Sequence, residues 1–128
     1  MSKVVLLVED DEDNRDLVSF VIARSRMDVE LELAENGQEA IDKALLKPPD
    51  LILMDMQMPV MDGWHAVPIL KSDDRTKKVP IIAFTAQAKP EDKLRAREIG
   101  CDEHYSKPMD PEELIHRVNH ILKICIPG

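Results

Sequence analysis

Short apolar runs and longer stretches of helical period alternate along the whole chain. The runs are "VVLLV" (4–8), "VELELA" (29–34), "LILM" (51–54), "PIIAF" (80–84) and a brief "HYS" (104–106). Between them apolar positions recur at spacings of three and four, the mark of a helix with one buried face. Leu17, Phe20, Val21 and Arg24 define such a stripe over 13–26, and Ala40, Ile41, Ala44 and Leu45 another over 37–46. The last stripe, over 111–125, carries Leu114, Val118, Ile121, Leu122 and Cys125. Its start is signalled by Asp110 as N-cap, Pro111 at the first helical position and Glu113 in the capping-box position. Two helical segments are sparser. Pro68 is expected to kink or shorten the one over 64–72. The one over 91–99 follows Pro90, stops before Gly100 and offers Leu94, Ala96 and Ile99 as apolar contacts.

Five strands and five helices in strict alternation predict an α/β fold with a five-stranded parallel sheet and helices on both faces. Continuous apolar strands suit burial on both sides, whereas the alternating "VELELA" suits an edge or half-covered strand. No repeat, linker or low-complexity tract interrupts the pattern. With the last helix expected to reach about Ile124, the reading is one domain over 1–128 and no second domain.

Composition narrows the function classes. The 128 residues are 44% hydrophobic and 33% charged, as in a globular domain, and only 3% are aromatic, so the core falls to Val, Ile, Leu, Ala and Met. A net charge of −8 argues against nucleic acid and an anionic membrane as partners. "VVLLV" is too short for a signal-peptide core or a membrane span, and a cytoplasmic location is expected. Cys101 and Cys125 then read as reduced thiols, with no spacing that suggests zinc.

The candidate chemistry sits where the strands end. In an open parallel sheet ligands gather beyond the carboxyl ends of the strands. There stand Glu9 and Asp10, then Asp55, then Thr85, then Lys107 followed by Pro108. If the first and third strands are neighbours, about 4.8 Å apart, Asp10 and Asp55 repel by about 3 kcal/mol at an effective dielectric near 20. Oxygen donors with no His or Cys among them point to a hard cation, Mg²⁺ before others, held by one or two carboxylates, a carbonyl and waters. A hydroxyl and an ammonium at the same rim suit a tetrahedral anion beside it. An aspartate can attack phosphorus to give an acyl phosphate, so Asp55 is placed to be phosphorylated.

"LLVEDDEDN" (6–14), "LILMDMQMPVMDG" (51–63), "FTA" (84–86) and "SKPMD" (106–110), in this order, closely resemble the receiver domain of two-component response regulators over about 3–124. The resemblance implies the strand order 2-1-3-4-5. It makes Asp55 the phospho-acceptor, Asp10 a direct Mg²⁺ ligand, Glu9 a ligand through water and the Gln57 backbone carbonyl a further ligand. Thr85 would close on the phosphoryl group, Lys107 would pair with it, and the Lys107–Pro108 bond would be cis. The implied partners are a sensor histidine kinase or histidine phosphotransfer protein, and a downstream protein docking on the fourth helix, fifth strand and fifth helix. One departure stands out. The family's switch aromatic, three residues before the lysine, is His104 here, with Tyr105 expected to face the other way. A histidine there could make the switch sensitive to pH.

Other residues have plainer readings. Met54, Met56, Met58 and Met61 read as packing residues, Pro59 and Gly63 as loop geometry, and His65, His116 and His120 as helix surface. Asp11, Glu12 and Asp13 favour a helix N-terminus. Two other functions compete with the phosphorylation switch. An aspartyl-phosphate phosphatase of the haloacid dehalogenase type needs D-x-D, but Gln57 stands two residues after Asp55. A pseudo-receiver that only binds partners would not need the acids, hydroxyl and ammonium together.

Overall fold

The computed structural model describes residues 2–86, 89–107 and 109–123. Pro108 and Cys125, named above, lie outside them, as does Ile124, the expected end of the last helix. The described elements are β1 (Lys3–Val8), α1 (Glu12–Arg24), β2 (Val29–Ala34), α2 (Gly37–Leu46), β3 (Leu51–Asp55), α3 (Gly63–Ser72), β4 (Ile81–Thr85), α4 (Pro90–Ile99), β5 (Glu103–Ser106) and α5 (Pro111–Leu122). The five strands form one parallel sheet in the order β2-β1-β3-β4-β5. β2, the alternating strand, is at one edge and only partly buried.

Alternation along each strand divides the core into two layers. Val5, Leu7, Leu51, Leu53 and Ile82 pack with Val21 and Ile22 of α1 and Leu114, Val118 and Leu122 of α5. Leu6, Val8, Ile52, Met54, Ile81 and Ala83 pack on the other face with Ala40 and Ile41 of α2, Ala66, Val67 and Leu70 of α3, and Ala96 of α4. All four methionines of the β3–α3 stretch join this second layer: Met54 and Met56 are buried, and Met58 and Met61 pack against them.

Side-chain caps start most helices. Asp11 accepts from the Asp13 N–H, Asn36 from the Glu39 N–H, Asp62 from the His65 N–H and Asp110 from the Glu113 N–H, each worth about 1 kcal/mol. α4 instead begins on Pro90 and ends at Gly100, whose φ of 113° favours glycine.

Two sequence expectations need correction, and a third is narrowed. The buried face of α1 is Val21 and Ile22 with Val18 half-buried, while Leu17 and Phe20 are 52% and 58% exposed. "LVSFVIAR" contains two overlapping stripes, and hydrophobicity alone did not choose between them. Leu94 is likewise exposed, leaving Ala96 as the buried residue of α4. Pro68 does not shorten α3, which runs through it to Ser72, and the Ser72 hydroxyl donates to the Pro68 carbonyl at 2.7 Å.

Candidate functional site

Backbone hydrogen bonds just past the strand ends set the rim. The Glu9 N–H donates to the Ala34 carbonyl at 2.9 Å, the Met56 N–H to the Phe84 carbonyl at 2.9 Å and the Lys107 N–H to the Thr85 carbonyl at 2.8 Å. The sheet ladder is thus extended one residue beyond β1, β3 and β5, bringing their acidic and basic side chains to one edge. Gly63 keeps the β3–α3 loop folded against this edge. A Cβ there would stand 2.5 Å from Met56 Sδ and 2.9 Å from the Asp55 carbonyl oxygen.

Four of the candidate residues meet. Carboxylate oxygens of Glu9, Asp10 and Asp55 lie within 4.8 Å of one another. Lys107 Nζ donates to Glu9 Oε1 and to Asp55 Oδ2, both at 2.8 Å. Asp55 Oδ1 accepts from the Gln57 N–H at 3.0 Å, which orients the carboxylate from the other side. Glu9 and Asp55 are 5% and 4% exposed, whereas Asp10 is exposed. Two carboxylates this close repel by about 3 kcal/mol at an effective dielectric of 20, and the ammonium between them offsets part of that.

The ionisation shifts follow from this geometry. Burial, and then the hydrogen bond with Asp55, push the Glu9 carboxyl above its ordinary range, against the pull of Lys107. Burial alone would lower the Lys107 ammonium, but the hydrogen bonds and charges of Asp55 and Glu9 together hold it above its usual value. The donor set is carboxylate oxygen only, gathered but under-neutralised, and it fits a hard divalent cation.

Thr85 and His104 meet each other. Thr85 is buried at the end of β4, and its Oγ1 is 3.4 Å from His104 Nε2 on β5. Thr85 borders a cleft of about 350 Å³ together with Gln57, Trp64, Lys89 and Arg95. His104 Nδ1 is buried without a hydrogen-bond partner among the described residues, and burial foremost pulls the ring's pKa below its ordinary value. Tyr105 faces the opposite layer as expected, 6.3 Å from Phe84 between ring centroids, with its hydroxyl on Glu103. His65, His116 and His120 are exposed on helices.

Two features at the rim were not anticipated from sequence. Lys107 is engaged by Glu9 as well as Asp55. Arg15, in the first turns of α1, reaches back to the carbonyls of Glu9 and Asp10. Its only sequence signal is a basic residue one helical turn past an acidic loop.

A parallel sheet of this order with an acid cluster and a lysine at its carboxyl edge defines a class, and comparison with known proteins places the chain in it. The chain belongs to the response regulator receiver domain family, whose model matches residues 5–119. It is 39% identical over 122 residues to the polar-differentiation response regulator DivK of Brucella anthropi, covering 95% of this chain and 98% of that protein. It is 32% identical to the phosphate regulon transcriptional regulatory protein PhoB of Klebsiella pneumoniae over 99% of this chain, but spans only 55% of that protein's length. It spans only 3% of the length of the hybrid signal transduction histidine kinase G of Dictyostelium discoideum, at 39% identity over 90% of this chain.

Among solved structures, the receiver domain of a sensor histidine kinase from Pseudomonas aeruginosa PAO1 carries a magnesium ion coordinated in its active site cleft. The fold superposes with a TM-score of 0.86 at 28% identity, covering 96% of this chain and 99% of that one. The chemotaxis response regulator CheY4 of Vibrio cholerae gives 0.86 at 30% identity, covering 94% and 99%. Within this family the chain is a receiver domain of two-component signalling. Among the described residues no helix is long and apolar enough to cross a membrane.

Proposed function

We propose that this receiver accepts a phosphoryl group on Asp55 from a phosphohistidine of a sensor kinase or a histidine phosphotransfer protein, with Mg²⁺ as cofactor. The observation that carries this reading is the convergence of Asp55, Glu9, Asp10 and the Lys107 ammonium at one strand edge. Asp10 and Asp55, the Gln57 carbonyl and, through water, Glu9 are the ligands we assign to the cation. When bound, Mg²⁺ supplies neutralising charge for phosphoryl oxygens.

The chain's own residues do the rest. The Gln57 N–H and the Lys107 ammonium hold the Asp55 carboxylate in one orientation, which limits the angles at which it meets phosphorus. An Asp55 oxygen forms the new P–O bond as the donor's P–N bond breaks, and the imidazole nitrogen keeps the electron pair. Lys107 then moves its hydrogen bonds from the carboxylates to the transferred group, and the Thr85 hydroxyl turns toward it. That turn removes the oxygen beside His104 Nε2, so His104 replaces the family's aromatic as the group that carries the change to β5. The α4–β5–α5 face is the assigned docking surface for the downstream protein, and the exposure of Leu94 on α4 supports it. Residues 1–128 act here as one receiver domain.

Incubation with acetyl phosphate and Mg²⁺ followed by intact mass tests this reading. One phosphoryl adduct is expected, removed by hydroxylamine, blocked by prior EDTA and absent in Asp55→Asn. A wild-type chain that stays unmodified would instead support a receiver that docks partners without phosphorylation.

A further inference from the structure

The loop between β1 and α1 supplies two of the three acids, and its path depends on a residue outside the cluster. Side chains of a helix tilt toward its N-terminus, so Arg15 in α1 points back under this loop. Its Nη1 donates to the Glu9 carbonyl at 3.0 Å and to the Asp10 carbonyl at 2.9 Å. Its Nη2 stands 3.3 Å from Glu35 Oε1 in the turn after β2. The Arg15 side chain is only 13% exposed, whereas that of Glu35 is 64% exposed. The inward bonds are therefore the sheltered ones, and the ion pair is at the surface.

A positive charge beside a cation site is unfavourable to the cation by Coulomb's law. An arginine retained there for its charge would work against metal binding. The guanidinium, however, is a rigid planar donor, and a lysine ammonium is a point charge without that directionality. We propose that Arg15 is a positioning residue for the cation site: by holding the carbonyls of two consecutive acids, it fixes the Glu9 and Asp10 side chains toward Asp55. This rests on the reading of that cluster as the Mg²⁺ site. It also ties the acidic loop to the turn after β2 through Glu35.

The charge and positioning roles predict opposite signs. Mn²⁺ affinity, read from the free-ion electron paramagnetic resonance signal, and Mg²⁺ affinity, read by calorimetry, are measured on the wild-type chain, Arg15→Lys, Arg15→Met and Glu35→Gln. Folding of each is checked by circular dichroism. Support for ligands of this indirect kind is worth about 10-fold or more in metal affinity. Both Arg15 variants are expected to bind about 10-fold more weakly, Arg15→Met despite its loss of a repelling charge. Glu35→Gln should change affinity by less than about 2-fold, as for an exposed ion pair. Arg15→Met binding as tightly as wild type or more so, or Arg15→Lys indistinguishable from wild type, overturns the proposal. Should Arg15→Met fail to fold, Arg15→Lys decides alone. A wild-type chain that takes up neither metal overturns the Mg²⁺ reading instead, before the variants are compared.

Discussion

The two ends of the sheet use acidic residues in opposite ways. At the amino ends of the strands two carboxylates are spent on the backbone. Asp50 Oδ2 accepts from the Val4 N–H at 2.7 Å, and Asp102 Oδ2 from the Ile81 N–H at 2.8 Å. Lys71 Nζ lies 3.5 Å from the same Asp102 oxygen and donates to the Val79 carbonyl at 2.7 Å. At Asp102 one acid faces one base, and at both acids a strand N–H is satisfied. At the carboxyl ends three carboxylates meet around one ammonium. Charge by itself therefore does not mark a site in this fold. An excess of one sign, kept together by packing that contributes elsewhere, does.

The contrast can be broken at either end. The largest effect is expected for Lys107→Met without divalent cation. It leaves the buried Glu9 and Asp55 carboxylates facing each other, and removing one partner of a buried ion pair costs roughly 3 kcal/mol. Urea unfolding should show that loss, and added Mg²⁺ should recover more stability in this variant than in wild type. Equal responses to Mg²⁺ would mean that Lys107 is not the counter-charge of the cluster.

Asp102→Ala comes next. It strips the Ile81 N–H of its acceptor, a cost of about 2 kcal/mol for a buried donor left unsatisfied. The phosphoryl adduct should form as in wild type, since nothing at the opposite edge is touched. Loss of the adduct in a folded Asp102→Ala chain would erase the distinction between the two ends.

The smallest effect concerns His104, which faces Thr85 on β4 and Asp92 and Lys93 on α4. Burial, helped by Lys93 and opposed by Asp92, lowers its pKa from the ordinary 6.5. The unfolded chain then takes up the proton first. Stability should fall as pH drops below about 6.5 and level off once pH passes the folded-state value. His104→Phe should flatten that slope in melting curves recorded between pH 7.5 and 5. A slope unchanged by the substitution would assign the acid sensitivity to another group.

How much of this was legible beforehand depends on how local each feature is. The continuous run "LILM" before Asp55 announces a strand buried on both faces, and its last residue falls at the strand edge without any tertiary information. Asp110 and Pro111 start α5 as their types require. The face of α1 was not legible, because Leu17 and Phe20 satisfy the helical period as well as Val18 and Val21 do. Only the position of α5 and the sheet selects between them. Pro68 does not end its helix for a related reason: the cost of one missing N–H bond is offset by the packing of Ala66, Val67 and Leu70, and α3 runs on to Ser72. At the site, residue types fixed the cluster's chemistry. The bond from Lys107 to Glu9 and the clamp by Arg15 span 98 and 6 positions and depend on side-chain direction.

The assignment of Asp55 as the acceptor is tested most directly by reductive trapping. An acyl phosphate is cleaved by borohydride to the corresponding alcohol, so the chain is treated with acetyl phosphate and Mg²⁺, reduced, digested and mapped by mass spectrometry. The account predicts homoserine at position 55 and unmodified Asp10 and Glu9. Reduction at either of those acids with Asp55 untouched would contradict it.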